Sequence, residues 1–524
     1  MPFNHYGGIM QRLKTSFPGC EPPAVVALVI IGFGVYLRSA GLGGLQFWID
    51  EARWVIFALD GEFRGLRPPA YMWLSQFVAS YIPGEAGWRL LSWLGGVLTL
   101  PVFYLVLRRV FHNRWIAVLG LLVLAVHPAA IDMSREFKPY ALELFLHVLM
   151  VLLVLVYASR VSFPALIAVI SVAVFAPLFT WSVVFVYPGV FLVLGYVVWQ
   201  RGQISHLAIV GLGAMASLVM LLALYFLHVQ GDEGTHAGYW GWKYDVFYYN
   251  AENPFVWLLA NTAEIAAFPA RLVWFLPIDA AAGVVSSALC AFAFMIMVIR
   301  REGRLLALLV LPWYVVVVFN VLGLWPYGVF RTNLFLLFYS LTLVCYALDI
   351  ILRVMQSRAV FMRLPLLFVL VTLFVIVLPL DSGALRDKGA SGFARSSYVQ
   401  TAMQDLYTRV GTNDEARQLT LVLDGHACTV FRYYLDYHDA ALSSDARQWF
   451  RESVSIRCQL FMEDDYLRYL REHAGEVFWI IVDKPPLIAL TITELQNLCD
   501  FHIRHNYDDH TLLGECVQGR PLES

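Results

Sequence analysis

The chain contains long runs of apolar residues that follow one another from near residue 24 to residue 380. A helix needs about 20 mostly apolar residues to cross a bilayer. Eleven runs come close to this length, near 24–43, 89–107, 115–131, 140–158, 163–179, 181–199, 205–228, 280–299, 304–323, 332–351 and 364–380. The sequence therefore predicts a polytopic α-helical membrane protein with about 11 transmembrane helices.

The composition supports this fold class. Hydrophobic residues make up 59% of the 524 residues, charged residues make up 15%, and the mean hydropathy is +0.65. A soluble globular chain is about 25% charged. The composition therefore excludes a soluble enzyme, a disordered chain and a nucleic-acid-binding protein.

Two parts of this topology depend on short or interrupted segments. The runs 163–179 and 181–199 have almost no loop between them. The stretch 254–277 is apolar but is interrupted by Glu264, Pro269 and Arg271. We expect that stretch to form an interfacial or re-entrant helix, and an error there would invert the topology.

Basic residues are concentrated in one set of connections, and such connections face the cytoplasm. These connections are short and contain Arg12, Lys14, Arg108, Arg109, Arg114, Arg160, Arg201, Arg300, Arg301, Arg304, Arg353, Arg358 and Arg363. Nearly all acids lie in the opposite connections, 44–88, 131–139, 229–279 and 324–331. We therefore expect a cytoplasmic N-terminus and a C-terminal domain on the outside, in the periplasm or an equivalent compartment. Residues 1–23 lack a small-residue cleavage site, so we expect the first span to remain as an anchor.

The last 144 residues have the composition of a soluble domain. Residues 1–380 contain 23 Lys/Arg and 17 Asp/Glu, whereas residues 381–524 contain 14 and 22. A linker rich in Gly, Ser and Ala is predicted at 381–398, before an extracytoplasmic domain at 399–524. Buried strands are predicted at 419–425 and 476–484, and helices at 427–437, 463–473 and 492–501. This alternation predicts a small soluble α/β sandwich.

Four of the seven cysteines fall in this C-terminal domain: Cys428, Cys458, Cys499 and Cys516. An oxidising compartment would allow one or two disulfides, with three full pairings, and free buried thiols are the alternative. The chain has no CxxC or His/Cys spacing typical of zinc and no Gly-rich nucleotide loop. We therefore expect neither a nucleotide nor a nucleic acid as partner.

The motif "FWIDEARW" (47–54) places two adjacent carboxylates, Asp50 and Glu51, just outside the first span. Flanking aromatic residues would partly desolvate them. Desolvation raises the pKa of a carboxyl group and suits it to act as a base near neutral pH. The alternative is a pair of solvated acids in an interfacial aromatic belt.

The motif "LRPPAYMW" (66–73) places Arg67 before a double proline, which favours an extended, rigid backbone. The segment that follows is amphipathic and predicts a helix lying in the membrane interface. The alternative is a simple juxtamembrane turn.

A dense polar segment, 127–145, separates the third and fourth spans. Cations on the external face oppose the positive-inside bias, so they need a partner, and a lipid phosphate is a natural one. The polar residues of this segment include Ser134, Arg135, Glu136, Lys138 and Tyr140. Alternatively, Arg135 pairs internally with Glu136 or Asp132. Glu143 would lie inside the fourth span, where an ionisable group usually faces a cavity.

The loop 229–253 combines acids with aromatic rings, a pattern that suits sugar or acceptor binding but also an interfacial belt. Its candidate residues are Asp232, Glu233, His236, Trp240, Trp242 and Tyr244. His236 with the acids is a further candidate for a divalent ion, but a metal site needs three or more oriented ligands.

At the tenth span, Arg331 of "WPYGVFRTNLFLLF" enters from the external side. It is a phosphate anchor or a side chain that snorkels to the headgroups.

In this order, the motifs resemble the GT-C glycosyltransferases. They are most similar to the branch that contains the protein O-mannosyltransferases and the aminoarabinose transferases of lipid A. The element "SREFKPYAL" (134–142) is similar to that branch's S-x-E-x-x-x-Y-A-L element, and the segment around Arg331 to its Arg-opened late span. The resemblance covers about 1–345, and the α/β tail is similar to tails of some bacterial members.

The resemblance implies an inverting transfer of a sugar from a polyprenyl-phosphate donor to an extracytoplasmic lipid, glycan or protein. Asp50 would be the catalytic base, and Glu51 would orient it or the acceptor. The donor phosphate would be held by Arg67, Arg135, Lys138 and Arg331, supported by Tyr140. Leu66 stands where some members have a metal-binding acid, so the resemblance implies no firm cofactor or metal.

Two other classes of function stay open at this point. One is a transporter or flippase, which predicts paired halves and acids buried within spans. The sequence shows no such halves, and its polar residues cluster at one face. The other is an assembly protein that handles lipid-linked sugars without catalysis and uses its external domain for docking.

Overall fold

The computed structural model describes residues 22–44, 46–63, 65, 67–230, 251–270, 279–329, 331–355, 398–411, 419–438, 441–458, 463–472, 477–483, 485–507 and 511–519. Helices dominate residues 22–355. They are α1 (Pro22–Ser39), α2 (Ile49–Leu59), α3 (Pro69–Ala79), α4 (Glu85–Val110), α5 (Arg114–Val126), α6 (Pro128–Asp132), α7 (Tyr140–Ser159), α8 (Phe163–Phe175), α9 (Tyr187–Gln200), α10 (Ile204–Leu224), α11 (Pro254–Ala267), α12 (Asp279–Ile299), α13 (Gly303–Leu309), α14 (Leu311–Val321) and α15 (Leu336–Met355).

Six helical segments in the described part of the chain are long and apolar enough to span a membrane: Pro22–Ser39, Glu85–Val110, Tyr140–Ser159, Ile204–Val229, Ala282–Ile299 and Leu336–Val354. A seventh is present if α13 and α14, which are bent by 44°, cross together. The protein is therefore an integral membrane protein. The count of about 11 is not confirmed, because α5, α8 and α9 are shorter and the predicted span at 364–380 lies outside the described residues.

The apolar helices are interrupted at two places. Pro312 is the second residue of α14, where its ring disfavours a continuous helix from α13. Between α8 and α9 the chain forms two 3₁₀ turns, Ala176–Leu178 and Ser182–Phe185. The predicted division between 163–179 and 181–199 is present, but the second helix starts only at Tyr187.

Short helices occupy the predicted external connections. The interfacial helix predicted after the double proline is α3, which begins at Pro69 because proline suits the first helical position. Its Trp73 and Phe77 are 60% and 50% exposed, as expected for rings at a membrane interface. In the stretch 254–277, α11 ends at Ala267, and residues 271–278 lie outside the described part.

Two glycines let α4 approach its neighbours closely. A Cβ atom on Gly95 would lie 2.7 Å from the Cα atom of Leu142 in α7. A Cβ atom on Gly96 would lie 2.0 Å from the Oγ atom of Ser134. Glycine is therefore required where α4 meets the loop 133–139, which carries several of the predicted site residues.

The C-terminal part forms a five-stranded mixed sheet in the order β2-β1-β3-β5-β4. Strand β1 pairs in parallel with β2 and β3, and β5 pairs antiparallel with β3 and β4. The strands are β1 (Leu419–Leu423), β2 (Val454–Cys458), β3 (Phe478–Val482), β4 (Cys499–Tyr507) and β5 (Thr511–Gly519), and the helices are α16 (Val399–Leu406), α17 (Gly425–Arg432), α18 (Ser444–Ser453), α19 (Glu463–Glu472) and α20 (Pro485–Leu498).

The predicted strands at 419–425 and 476–484 are β1 and β3, and the helices predicted at 427–437 and 463–473 correspond to α17 and α19. The helix predicted at 492–501 starts earlier, at Pro485, and gives way at Cys499 to a strand. The linker at 381–398 and the domain boundary stay predictions, because residues 356–397 lie outside the description.

The four C-terminal cysteines form two disulfides. Cys428–Cys458 joins α17 to β2, and Cys499–Cys516 joins the neighbouring strands β4 and β5. Disulfides persist in oxidising compartments. The extracytoplasmic position of the sheet stays a prediction.

The sheet domain packs directly onto helix α2. Apolar side chains from both parts form one buried core, including Phe47, Ile49, Val55, Val430, Phe431 and Tyr433. The rings of Phe47 and Tyr433 lie 5.1 Å apart. The C-terminal domain is thus in contact with the helix that carries Asp50 and Glu51.

Candidate active site

The acid pair lies in the first turn of α2. Trp48 is the N-cap residue, and both Asp50 and Glu51 follow it within one turn. The helix dipole favours acids at this end. Consecutive helical residues point about 100° apart at 3.6 residues per turn. The two carboxylates therefore reach different surroundings.

Asp50 forms an ion pair with Arg331 across 281 positions of sequence. Arg331 Nη2 lies 2.5 Å from Asp50 Oδ2, and Arg331 Nη1 lies 3.5 Å from Glu136 Oε1. The guanidinium carbon lies 4.6 Å from the centre of the Trp48 ring. Arg331 is therefore held between two carboxylates and an aromatic face. We call Asp50, Glu136, Lys138 and Arg331 the Asp50 cluster.

Cations dominate the electrostatics of Asp50. Burial alone would raise its pKa, but the charges of Lys138 and Arg331, with the hydrogen bond from Arg331, lower the pKa to about 2. The pKa rise expected from the sequence is therefore wrong for this arrangement. The sequence indicated that Asp50 is desolvated, but it did not indicate that Arg331, far away in the chain, pairs with it.

Glu136 and Lys138 are almost completely buried, at 3% and 4% exposure. Burial raises the pKa of Glu136 to about 7, although Arg331 opposes this rise. Burial also lowers the pKa of Lys138 to about 7, although Asp50 opposes this fall. The Lys138 ammonium lies 3.9 Å from the centre of the Trp54 ring. Both groups can therefore change protonation near neutral pH when a charged ligand binds.

Arg331 is the fixed cation of the cluster. Burial would lower its pKa, but Tyr140, Asp50 and Glu136 together raise it above its ordinary value. The supporting role of Tyr140 at the donor phosphate stays a prediction.

Glu51 has different partners from Asp50. Its two oxygens accept hydrogen bonds from Arg89 Nε and Nη2, at 2.8 and 2.7 Å. Glu51 Oε1 also accepts from the Phe137 amide at 2.6 Å. These contacts attach the loop 133–139 to α2 and α4. Glu51 thus orients the loop that carries Glu136 and Lys138, whereas the resemblance implied that it orients Asp50 or the acceptor.

Two of the predicted phosphate ligands have other partners. The Arg67 guanidinium lies 3.8 Å from the centre of the Phe57 ring, toward the far end of α2, and donates to the Glu62 carbonyl. Arg135 pairs with Asp132 at 2.6 Å, which is the internal pairing raised as an alternative above. We therefore place Arg67 and Arg135 outside the Asp50 cluster, and their contact with a donor phosphate stays a prediction.

Six sequence-predicted candidates lie outside the described residues: Asp232, Glu233, His236, Trp240, Trp242 and Tyr244. Leu66, which stands where some members of the similar family have a metal-binding acid, also lies outside the described residues. Within the described ranges, no group of three or more His, Cys, Asp or Glu side chains is placed to hold a metal ion. A divalent ion at His236 stays a hypothesis.

The sequence did not single out Arg89 or Trp48 as site residues. Arg89 begins a predicted span, and a charged residue there usually has a specific partner. This signal could have linked Arg89 to an external acid. Trp48 carried no such signal, because its position under Arg331 depends on the tertiary fold.

Comparisons of the sequence with protein-family models and with curated proteins give no match. Solved structures do match over most of the chain. ArnT from Cupriavidus metallidurans bound to undecaprenyl phosphate is similar over 93% of this chain and 97% of its own, with 13% identity and a TM-score of 0.49. The Archaeoglobus fulgidus oligosaccharyltransferase in complex with Zn and sulfate is similar over 87% of this chain and 68% of its own, with 13% identity and a TM-score of 0.45.

A third match is the S. cerevisiae protein O-mannosyltransferase Pmt1-Pmt2 complex bound to its sugar donor. It covers 42% of this chain and 34% of its own, with 18% identity and a TM-score of 0.34. Protein O-mannosyltransferases are among the proteins that the sequence motifs resemble.

Proposed function

We propose that the protein is an inverting glycosyltransferase that moves a sugar from a polyprenyl-phosphate donor to an acceptor on the extracytoplasmic face. The observation that carries the proposal is the Asp50–Arg331 ion pair, with Glu136 and Lys138 beside it. Such a cluster combines a carboxylate that can accept a proton with two cations that can hold a phosphate.

The two cations suit the donor phosphate. Arg331 is held by carboxylates on two sides, and Lys138 lies over an aromatic ring. An incoming phosphate monoanion would compete with Asp50 for Arg331. It would also favour the charged form of Lys138, whose pKa is lowered to about 7 without it.

Competition for Arg331 also explains how a strongly paired carboxylate can act as a base. While Arg331 holds Asp50, the pKa of Asp50 is too low for efficient proton transfer near neutral pH. Once a phosphate shares Arg331, the pKa of Asp50 rises. Asp50 then takes the proton of the acceptor hydroxyl or amine as that group attacks the anomeric carbon. The bond between this carbon and the phosphate oxygen breaks, and polyprenyl phosphate leaves with the electron pair.

The position of the cluster fits a donor that stays in the bilayer. Asp50, Glu136 and Arg331 lie in connections between apolar helices, and the distribution of basic residues predicts that these connections are outside. We therefore propose a plasma-membrane enzyme, in a bacterial inner membrane, with the sheet domain in the periplasm. Its acceptor would be an extracytoplasmic lipid, glycan or protein.

The test uses the full-length protein in lipid nanodiscs. Wild type, Asp50→Asn and Asp60→Asn are offered a panel of polyprenyl-phosphate sugars, and release of polyprenyl phosphate is measured. Asp60 follows α2 at its other end and is exposed, so its variant is a matched control. We expect turnover by wild type and by Asp60→Asn. We expect a loss of at least about a hundredfold in Asp50→Asn, with donor still bound.

Two results would contradict the proposal. Equal turnover in wild type and Asp50→Asn would remove Asp50 as the base and direct attention to Glu136. Failure of every variant to bind any donor of the panel would reject the transferase and favour a transporter or an assembly protein.

A further inference from the structure

Two of the three residues before α2, Gln46 and Phe47, are held by hydrogen bonds with the C-terminal domain. The Gln46 amide donates from Nε2 to Thr401 Oγ1 at 2.7 Å and accepts from the Gln400 backbone N–H at 3.2 Å. The Phe47 backbone N–H donates to the Tyr434 hydroxyl at 2.9 Å. Asp50 follows only three residues later.

Tyr434 connects three parts of the molecule through one hydroxyl. It accepts from Phe47 and donates to Glu85 Oε1 at 3.0 Å, at the first residue of α4. The Tyr434 side chain is fully buried. Burial and the nearby Glu85 raise its pKa well above the ordinary value, so the hydroxyl keeps the proton that it donates.

The segment that Tyr434 holds leads directly into the Asp50 cluster. Trp48, next to Phe47, lies under Arg331 and is also the N-cap residue of α2. Its carbonyl accepts the Glu51 and Ala52 amides, both at 3.0 Å, which defines where the helix begins. A displacement of Phe47 would therefore move the Trp48 ring, which lies beneath Arg331. It would also move the first turn of α2, which carries Asp50.

We propose that Tyr434 is a positioning residue, through which the C-terminal domain sets the position of Trp48 and Asp50 relative to Arg331. The inference rests on the proposed function and extends it, because it makes the sheet domain part of the active-site scaffold. Tyr434 acts through Phe47 and Trp48 and does not itself contact the Asp50–Arg331 pair.

A nearby tyrosine supplies a matched control. Tyr437 donates to Asp60 Oδ1 at 3.0 Å, beyond the opposite end of α2 and in an exposed contact. Tyr434→Phe and Tyr437→Phe each remove one hydroxyl from the same turn, Tyr433–Tyr437. Only Tyr434→Phe removes a contact next to Trp48.

The experiment compares full-length wild type, Tyr434→Phe and Tyr437→Phe in lipid nanodiscs. Titration with undecaprenyl phosphate gives the number and affinity of binding sites, and turnover is expressed per binding site. We expect Tyr434→Phe to keep the binding sites, with affinity within about threefold. We expect its kcat per site to fall at least about tenfold, since a misplacement of about 1 Å can cost about a hundredfold. Tyr437→Phe is expected to match wild type in both quantities.

Hydrogen exchange tests the structural step without turnover. We expect the Glu51 and Ala52 amides to exchange at least about tenfold faster in Tyr434→Phe than in wild type or Tyr437→Phe. Unchanged exchange at these two amides would overturn the proposal, whatever the turnover. A loss of binding sites in proportion to turnover would also overturn it, because it would indicate a purely structural role.

The two proposals can fail separately. If wild type turns over no donor of the panel, the proposed function fails, and hydrogen exchange still decides whether Tyr434 positions the start of α2. If wild type is active and Tyr434→Phe retains full kcat per site, the function stands and the positioning role is rejected.

Discussion

Glu51 and Arg89 form a two-point ion pair whose side chains are each 2% exposed. Glu51 Oε1 at the same time accepts the Phe137 amide. The carboxylate next to the proposed base therefore fixes the second loop of the site, which carries Glu136 and Lys138. The two adjacent acids thus have different roles. Asp50 contacts Arg331 in the proposed catalytic cluster, and Glu51 holds the loop 133–139 in place.

Replacing Glu51 by Gln should destabilise the protein. The change leaves the buried Arg89 charge without its main counter-charge, and breaking a buried pair costs about 3–5 kcal/mol. Unfolding in detergent micelles measures this loss. Asp436→Asn removes the acid of an exposed pair with Arg451 and should change stability by less than about 1 kcal/mol. Unchanged stability with abolished turnover in Glu51→Gln would instead support the orienting role that the resemblance implied.

Replacing Arg331 by Lys should weaken donor binding although the charge is kept. A lysine cannot reproduce a planar fork that contacts Asp50 and Glu136 at once and lies over Trp48. Loss of one charge-assisted hydrogen bond, worth about 1.5–3 kcal/mol, predicts an affinity about 10- to 150-fold lower. Binding of undecaprenyl phosphate measures the effect, and Arg109→Lys, at an exposed position, is the control. Equal affinities in all three proteins would remove Arg331 from the phosphate site.

Glu136 should make stability depend on pH between about 4.5 and 7. Its pKa is raised in the folded protein from 4.5 to about 7, so the folded state binds the proton more tightly than the unfolded state. This contribution to stability is complete below the unfolded pKa and is lost as pH rises through about 7.

The variant Glu136→Gln removes this titration. We therefore expect its stability relative to wild type to increase as pH rises from about 4.5 to 7. Thermal unfolding across this range measures the difference, and Glu452→Gln, at an exposed position, is the control. A difference between Glu136→Gln and wild type that is constant with pH would contradict the raised pKa.

Gly96→Ala should disturb the site from inside the bundle. The new methyl group would lie 2.0 Å from Ser134 Oγ and 2.7 Å from Ser134 Cβ, and Ser134 is fully buried. Overpacking of this kind costs about 1–3 kcal/mol and displaces neighbouring atoms. Gly211→Ala in α10 meets nothing within 4 Å and should be neutral or slightly stabilising. Equal thermal stability and turnover of the two variants would show that the loop 133–139 tolerates displacement.

The sequence predicted those helices and strands that consist of a continuous apolar run. The apolar runs gave the long helices, and the buried runs at 419–425 and 476–484 gave β1 and β3. The two edge strands, β2 and β4, were not predicted. Most of their residues are partly or fully exposed, so neither strand contains a continuous apolar run.

The site was predictable residue by residue but not as a set of contacts. Asp50 stood out as an acid at a membrane boundary between aromatic residues, and Arg331 stood out as a cation on the face where the topology disfavours one. That they are each other's partner depends on the fold. The same limit explains the wrong pKa direction for Asp50, since burial can be inferred from neighbouring residues and a cation 281 positions away cannot.

The distance in sequence between Asp50 and Arg331 also has a consequence during synthesis. A ribosome that has inserted the first helices has delivered the acid but not the cation, and Tyr434 follows about a hundred residues later still. In every chain, Asp50 is therefore synthesised before either of these partners exists. The proposed catalytic arrangement can therefore form only after Tyr434 has been synthesised, and a chain that stops earlier lacks at least one of the two partners.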